Sequence, residues 1–114
     1  MPQYEKRDLS DEAFEMLGEQ FKAFSEPMRL KLVYALMDGE KTVSELVEET
    51  GGLQANVSKH LRMLLEAGIV ERRKQGLNSY YSIADGSVFE LCDLMCNSIQ
   101  ERLEADLGSF SARS

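Results

Sequence analysis

The sequence predicts a single, mainly α-helical domain in which four helices precede a β-hairpin and a fifth helix follows it. Apolar residues recur at helical spacing in five stretches, and turn-forming residues separate two short β-prone runs near residues 69–83. The 114 residues suffice for one hydrophobic core, so we expect one domain over residues 1–114, with frayed ends at 1–8 and 108–114.

The first two helices are predicted from apolar spacing and from residues that favour helix ends. A helix over residues 11–24 follows Ser10 as its N-cap, and its apolar stripe consists of Phe14, Leu17, Phe21 and Phe24. Pro27 suits the first turn of a second helix over roughly residues 26–38, which Gly39 ends. That helix is apolar on most sides, so we expect it at the centre of the core.

Two shorter helices follow, joined by a glycine turn. Thr42 and Glu45 have the spacing of a capping box at the start of the third helix. Residues 50–52 read Thr-Gly-Gly, which predicts a tight turn before a fourth helix over about residues 54–67. The inward stripe of the fourth helix is predicted to be Val57, Leu61, Leu64 and Leu65.

The remaining chain predicts a hairpin and a long helix. Residues 69–74 and 79–83 form the two strands around a turn at 75–78, and residues 86–106 form the last helix. Two helices joined by a short turn and followed by a hairpin describe a winged helix-turn-helix.

The apolar stripes of the first and last helices exceed what this core can cover. We therefore expect a homodimer through those helices, the alternative being that they cover each other within a monomer.

Charge is distributed unevenly along the chain. The net charge is −7, but residues 54–83 carry five Lys and Arg residues against two Glu residues. A basic fourth helix and hairpin on an acidic protein favour a nucleic-acid contact at that surface.

The sequence has one histidine, no glycine-rich phosphate loop and no recognisable nucleophile–base pair, so we do not expect an enzyme.

The polar side of the fourth helix carries residue types that read DNA. A helix fits the major groove, where Gln54 suits adenine, Lys59 suits guanine or phosphate, and Ser58 suits a base edge or phosphate. Asn56 lies on the flank of this side, and Arg62, one turn further on, is expected at a phosphate. In the hairpin, strand alternation prevents Arg72 and Arg73 from both facing DNA. We favour Arg73, with Lys74 near the tip.

Three separated motifs resemble the ArsR/SmtB family of bacterial repressors. Residues 51–70 are similar to the family's recognition helix, residues 21–30 to the entry into its second helix, and residues 70–83 to its wing. The resemblance covers about residues 14–104 and implies a homodimeric repressor that releases its operator when an effector binds. It points to Gln54, Val57, Ser58 and Lys59 as DNA contacts. One position departs from the family, because Leu53 stands where a serine is usual.

The resemblance also implies where effectors bind, and two of the family's sites are missing here. Residues 43–48 lack the cysteines of the site on the third helix, and Ser87 and Ser98 stand where the zinc-type site has histidines. Cys92 and Cys96 remain, four residues apart on one helical face. They could bind a soft metal or arsenite, respond to thiol oxidation or persulfidation, or simply pack in the core. His60 is expected to be a satisfied, partly buried residue rather than a ligand.

The predicted function is therefore a sequence-specific, DNA-binding transcriptional repressor acting in the cytoplasm. Its partners would be a second copy of itself and double-stranded DNA with an inverted-repeat operator. No signal peptide or membrane segment is recognisable, and no cofactor is predicted beyond the soft metal or arsenite effector. The alternative is a winged-helix protein-interaction module that neither binds DNA nor senses an effector.

Overall fold

The computed structural model describes residues 5–106 and has the predicted order of helices and hairpin strands, with one further short strand. In chain order these are α1 Asp11–Lys22, α2 Pro27–Ala35, β1 Lys41–Thr42, α3 Val43–Thr50, α4 Gln54–Glu66, β2 Val70–Gln75, β3 Asn78–Ile83 and α5 Ser87–Asp106. Fraying was predicted for residues 1–8 and 108–114. Residues 1–4 and 108–114 lie outside the described part, and residues 5–8 form neither helix nor strand. Within residues 5–106 no helix is both long enough and apolar enough to cross a membrane.

The predicted N-termini of α1, α2 and α3 are confirmed by their capping groups, whereas two predicted C-termini are wrong. α1 ends at Lys22 rather than at residue 24, and α2 ends at Ala35, before the predicted stop at Gly39. Ser10 accepts a hydrogen bond from the Ala13 backbone N–H at the start of α1 (3.1 Å), and Pro27 occupies the first turn of α2. At α3, the Thr42 hydroxyl accepts from the Glu45 N–H while the Glu45 carboxylate accepts from the Thr42 N–H, which is the predicted capping box.

The hairpin is part of a three-stranded antiparallel sheet rather than a free ribbon. Strand β3 pairs with β2 over six residues and, on its other side, with the two-residue strand β1, giving the order β1-β3-β2. The sequence did not predict β1, because two residues carry no periodicity and their pairing partner lies about forty residues away. Through β1, the sheet is joined directly to the N-terminus of α3.

The core lies between α2, α3, α4 and the base of the sheet. Its fully buried side chains come from all four of these elements: Leu32, Val33, Leu46, Val57, Leu61, Leu64 and Val70. By contrast, α1 contains no buried residue. The helix-turn-helix and the wing therefore form one packed unit, and α1 and α5 lie on its outside.

A buried arginine and a buried histidine occupy the contact between α2 and α4. The Arg29 Nη1 atom lies 2.8 Å from the Met63 sulfur and 3.5 Å from Nδ1 of His60. Because Nδ1 faces a guanidinium, it acts as the acceptor and the neutral ring carries its proton on Nε2. Burial, and then the charge of Arg29, lower the pKa of His60 below its usual value of 6.5.

We expect this pair to make folding sensitive to mild acid. The folded state disfavours the imidazolium, so the contribution of His60 to stability is complete above pH 6.5 and is lost as the pH falls through its lowered pKa. The chain has one histidine, so the parent and His60→Gln differ in a single titratable side chain, and a change of their stability difference with pH reports on it. The free energy of unfolding of the parent, measured with urea, should fall relative to that of His60→Gln between about pH 7.5 and about pH 5.5. A difference that does not change with pH would contradict the burial of a neutral ring.

Candidate nucleic-acid interface

The turn between α3 and α4 fixes where α4 begins. Gly51 ends α3 in the left-handed conformation (φ 75°), which glycine adopts without steric cost. Gly52 is closely surrounded, since an added Cβ would lie 2.9 Å from the Met28 Cε and 3.0 Å from the Val57 Cγ2 and would require both side chains to move. The close approach of this turn to α2 holds the first turn of α4 in place.

One face of α4 is buried and the opposite face is exposed. Gln54, Asn56, Ser58, Lys59 and Arg62, all predicted to contact DNA, have exposed side chains. Val57, which the family resemblance also indicated as a contact, is 0% exposed and packs in the core. That prediction is wrong, because Val57 lies on the same stripe as Leu61 and Leu64, which holds α4 to the body of the domain.

Leu53 is the N-cap residue of α4 and does not satisfy a helix N–H with its side chain. A Ser, Thr, Asp or Asn at this position typically contributes about 0.5–2 kcal/mol to helix stability. Leu53 is also 79% exposed. The departure from the family noted in the sequence therefore removes a cap and leaves an aliphatic side chain in solvent.

The wing presents different cations on its two faces. Residues Val70, Arg72 and Lys74 alternate onto one face of β2, and Arg72 lines a shallow depression with Ser58 and Lys59 of α4. On the opposite face, the Arg73 Nη2 lies 2.6 Å from a Glu40 carboxylate oxygen, and its guanidinium stacks 4.6 Å from the centre of the ring of Tyr80.

The two arginines are placed differently from our expectation. We expected Arg73 to share the DNA-facing side with Lys74, whereas the structure puts Arg72 on the side of α4 and binds Arg73 to Glu40. The ion pair also lowers the pKa of the Glu40 carboxyl, as a neighbouring guanidinium does. Counting alternate residues from the buried Val70 would have identified Arg72, but the position of Glu40 could not be read from the sequence.

We use the name recognition surface for the exposed side of α4 together with Arg72 and Lys74. Its residues are Gln54, Asn56, Ser58, Lys59, Arg62, Arg72 and Lys74. Among residues 5–106, the ion pairs involve only Lys41 with Asp38 and Glu49, and Arg73 with Glu40. The cations of the recognition surface thus form no ion pair within the described part of the chain, although Glu66 lines the same depression and the protein as a whole carries a net charge of −7.

A second surface, on α1 and α5, is apolar and largely uncovered. Phe14 is 58% exposed and Met95 is 56% exposed, and several neighbours on the same two helices are also open to solvent: Met16, Leu17, Phe21, Leu91 and Leu94. A monomer in which the two stripes cover each other would have buried these side chains. The structure therefore contradicts that alternative and leaves a large apolar surface without a partner.

Both cysteines lie on α5, at the edge of this apolar surface. Cys92 is 8% exposed, whereas Cys96 is partly exposed and its sulfur lies 2.8 Å from the hydroxyl of Tyr34 on α2. Burial, followed by the proximity of Cys96 and Asp93, raises the pKa of the Cys92 thiol. The hydrogen bond to Cys96 also raises the pKa of Tyr34, so its hydroxyl keeps its proton. The contact with Tyr34 was not predicted, since the two residues are 62 positions apart.

Cys92 and Cys96 do not form part of a larger cluster of metal-binding side chains among the described residues. Within residues 5–106 there is no group of three or more His, Cys, Asp or Glu side chains arranged to hold a metal ion. Asp85, beside the Ser87 position of the zinc-type site, accepts a hydrogen bond from the Ser87 N–H (3.0 Å) at the start of α5. A soft ion bound by one subunit would therefore rely on the two thiols.

Comparison with known proteins identifies the family. The family model described as bacterial regulatory protein, arsR family, matches residues 26–72, which run from the N-cap of α2 into β2. An uncharacterized HTH-type transcriptional regulator of Methanocaldococcus jannaschii is 38% identical over 85 residues, covering 74% of this chain and 96% of that protein. A transcriptional repressor SmtB homolog of Synechocystis is 33% identical over 93 residues, covering 82% of this chain and 70% of that protein.

The fold agrees with that assignment. The solution structure of a homodimeric winged helix-turn-helix DNA-binding domain from Mycobacterium bovis superposes with a TM-score of 0.73 and 29% sequence identity. The alignment covers 86% of this chain and 94% of that domain. With the predicted fold confirmed and the helix-turn-helix inside the matched region, this chain belongs to the ArsR family of bacterial regulatory proteins, which are DNA-binding transcriptional repressors and not enzymes.

Proposed function

We propose that two copies of this repressor bind an inverted-repeat operator, each placing α4 in a major groove. The observation that carries the proposal is the recognition surface itself, where cations without ion-pair partners in residues 5–106 flank the exposed side of α4. A protein with a net charge of −7 is repelled by DNA over most of its surface. Binding therefore requires that this one surface face the phosphates.

Each residue of the recognition surface suits a different part of the DNA. Gln54, in the first turn of α4, suits bidentate hydrogen bonding to adenine, and Lys59 suits guanine or a phosphate. Arg62, a turn beyond Ser58, and Arg72 on the wing suit contacts to phosphates. Arg73 is not part of the proposed contact set, because its guanidinium is occupied by Glu40.

Replacing cations of the recognition surface should weaken DNA binding, whereas replacing Arg73 should have little effect. Lys59→Ala and Arg72→Ala should each lower operator affinity and reduce the salt dependence of binding by about one phosphate contact. Arg73→Ala is the matched control, since it removes the same charge from the other face of β2. Fluorescence anisotropy titrations at several salt concentrations measure both quantities. An equal loss for Arg72→Ala and Arg73→Ala would contradict the assignment of the wing faces.

If the parent binds no DNA in a selection from random duplexes, the protein-interaction alternative is favoured instead.

Gln54→Ala provides a separate test of base reading. It should relax specificity at one base pair by about 1–3 kcal/mol while leaving the other positions unchanged.

The apolar surface of α1 and α5 supports the homodimer. The apolar side chains exposed on α1 and α5 form a larger continuous apolar surface than a soluble monomer usually leaves in contact with water. A two-fold pair of copies would bury the same surface on both partners and present two α4 helices related by the two-fold axis. Two such helices would read half-sites separated by about one helical turn of DNA.

A charge placed on this surface should separate the two copies. Phe14→Glu combined with Met95→Glu buries two carboxylates in the proposed interface, and sedimentation should report a folded monomer with weakened operator binding. Leu77→Glu is the control, because Leu77 lies fully exposed in the turn of the wing, away from α1 and α5. A parent that sediments as a monomer at micromolar concentration would contradict the dimer.

We further propose that Cys92 and Cys96 receive the effector signal by binding a thiophilic agent such as arsenite. Each cysteine thiol would replace one hydroxyl group of arsenous acid, forming an As–S bond. Each displaced hydroxyl group leaves as water with the proton of the thiol, so two waters are released and arsenic keeps its third hydroxyl group. The support is the spacing of four residues on one helical face, the partial exposure of Cys96 and the Tyr34 contact. Because Tyr34 belongs to α2 and Cys96 to α5, loss of their hydrogen bond would let α5 shift against the helix-turn-helix.

This proposal is tested by measuring operator release by thiol-directed agents. Arsenite, Cd(II), hydrogen peroxide and a persulfide donor are added to the parent–operator complex and to Cys92→Ser/Cys96→Ser. We expect arsenite or Cd(II) to release the parent and not the double variant, and peroxide to act slowly because burial raises the pKa of Cys92. Release only by peroxide or the persulfide donor would favour a redox switch. If no agent releases the parent, or if both proteins respond equally, the cysteines are packing residues.

A further inference from the structure

Leu53 occupies an unusual position for a leucine. It is the N-cap of α4, makes no side-chain cap and is 79% exposed. A single exposed leucine is ordinary on a protein surface. At an N-cap, however, leucine is among the disfavoured residues, and its apolar surface gains nothing from solvent. Positions at which a sequence departs from local stability rules tend to be functional sites.

The backbone holds Leu53 in one place. The residue before it, Gly52, lies between Met28 and Val57, and an added Cβ there would require both side chains to move. The Leu53 carbonyl accepts a hydrogen bond from the Val57 N–H (2.9 Å), the first backbone bond of α4. Val57 is itself fully buried. The direction in which the Leu53 side chain leaves the backbone is therefore set by the core.

Leu53 also lies at the end of α4 that reads bases. Recognition helices present their N-terminal residues to the base edges in the major groove, and the adjacent residue here is Gln54. On that groove edge, thymine alone among the four bases carries a methyl group, which apolar side chains recognise. We propose that Leu53 is a specificity-determining residue that selects a thymine by covering its C5 methyl group. This inference depends on the proposed DNA-binding function.

The other exposed leucine near the proposed DNA side provides an internal comparison. Leu77 is fully exposed in the two-residue turn of the wing, beside Gly76 (φ 63°). The wing lies beside the recognition helix and is expected over the backbone or minor groove, where no thymine methyl is displayed. Leu77 therefore has the same side chain and at least the same exposure without access to the methyl group.

The test uses operators selected by the parent protein from random-sequence duplexes. Each thymine of the selected operator is replaced singly by deoxyuridine, which removes only the methyl group. The affinities of the parent, Leu53→Ala, Leu53→Ser and Leu77→Ala are then measured. In each half-site, one replacement should weaken parent binding about fourfold, the effect of exposing one methyl-sized group. Leu77→Ala should keep this sensitivity, and both Leu53 variants should lose it.

The variants separate a contact from a loss of folding. Leu53→Ser supplies the missing cap, so it should unfold at a higher temperature than the parent while binding thymine and deoxyuridine operators equally. Sensitivity to deoxyuridine that is the same in the parent and both Leu53 variants overturns the inference and leaves the proposed function intact. Failure of the parent to select any sequence overturns the proposed function and the inference with it.

Discussion

The burial of one stripe of α4 against α2 and α3 is the constraint on which the rest of the structure depends. Val57, Leu61 and Leu64 are completely enclosed, and removing a side chain of this kind from a core typically costs about 2–5 kcal/mol. This burial fixes the rotation of α4 about its axis, and therefore which residues face solvent. The glycine turn packs against α2 just before α4 begins, and a side chain at Gly52 would require Met28 and Val57 to move. Base-reading and phosphate-binding residues are positioned by the same packing that stabilises the domain.

The distribution of charge follows from this packing. Acidic side chains predominate over the chain, and several neutralise cations that lie away from the recognition surface, as Glu40 does for Arg73 and Asp38 and Glu49 do for Lys41. Strand pairing decides which arginine is neutralised, since Arg72 and Arg73 point to opposite faces of β2. An acidic protein thereby keeps a local cationic surface, which favours one orientation towards DNA and opposes all others.

The contact between α2 and α5 connects this core to the surface that we propose forms the dimer. α5 reaches the core through Cys92, and one turn later Cys96 meets the hydroxyl of Tyr34. Beside this contact is an apolar groove of about 420 Å³ whose lining includes Phe21, Leu30 and Met95. A chemical change at the thiols would act where the helix-turn-helix and the outer helices meet, and small shifts there are transmitted because packed elements move as units.

Local sequence determined the five helices, the hairpin and several of their ends, although α1 and α2 end earlier than their patterns predicted. The Thr42–Glu45 capping box, the Ser10 cap, the glycine that ends α3 and the hairpin all depend on residues within a few positions of one another, so their signals could be read directly. Tertiary structure decided the features that join distant positions. These are the pairing of β1 with β3, the Arg29–His60 contact, the ion pair of Arg73 with Glu40 and the hydrogen bond between Tyr34 and Cys96. The family resemblance marked Val57 as a DNA contact, but packing made it part of the core. The physical reason is that periodicity specifies which residues share a face, whereas only the packed fold determines what that face meets.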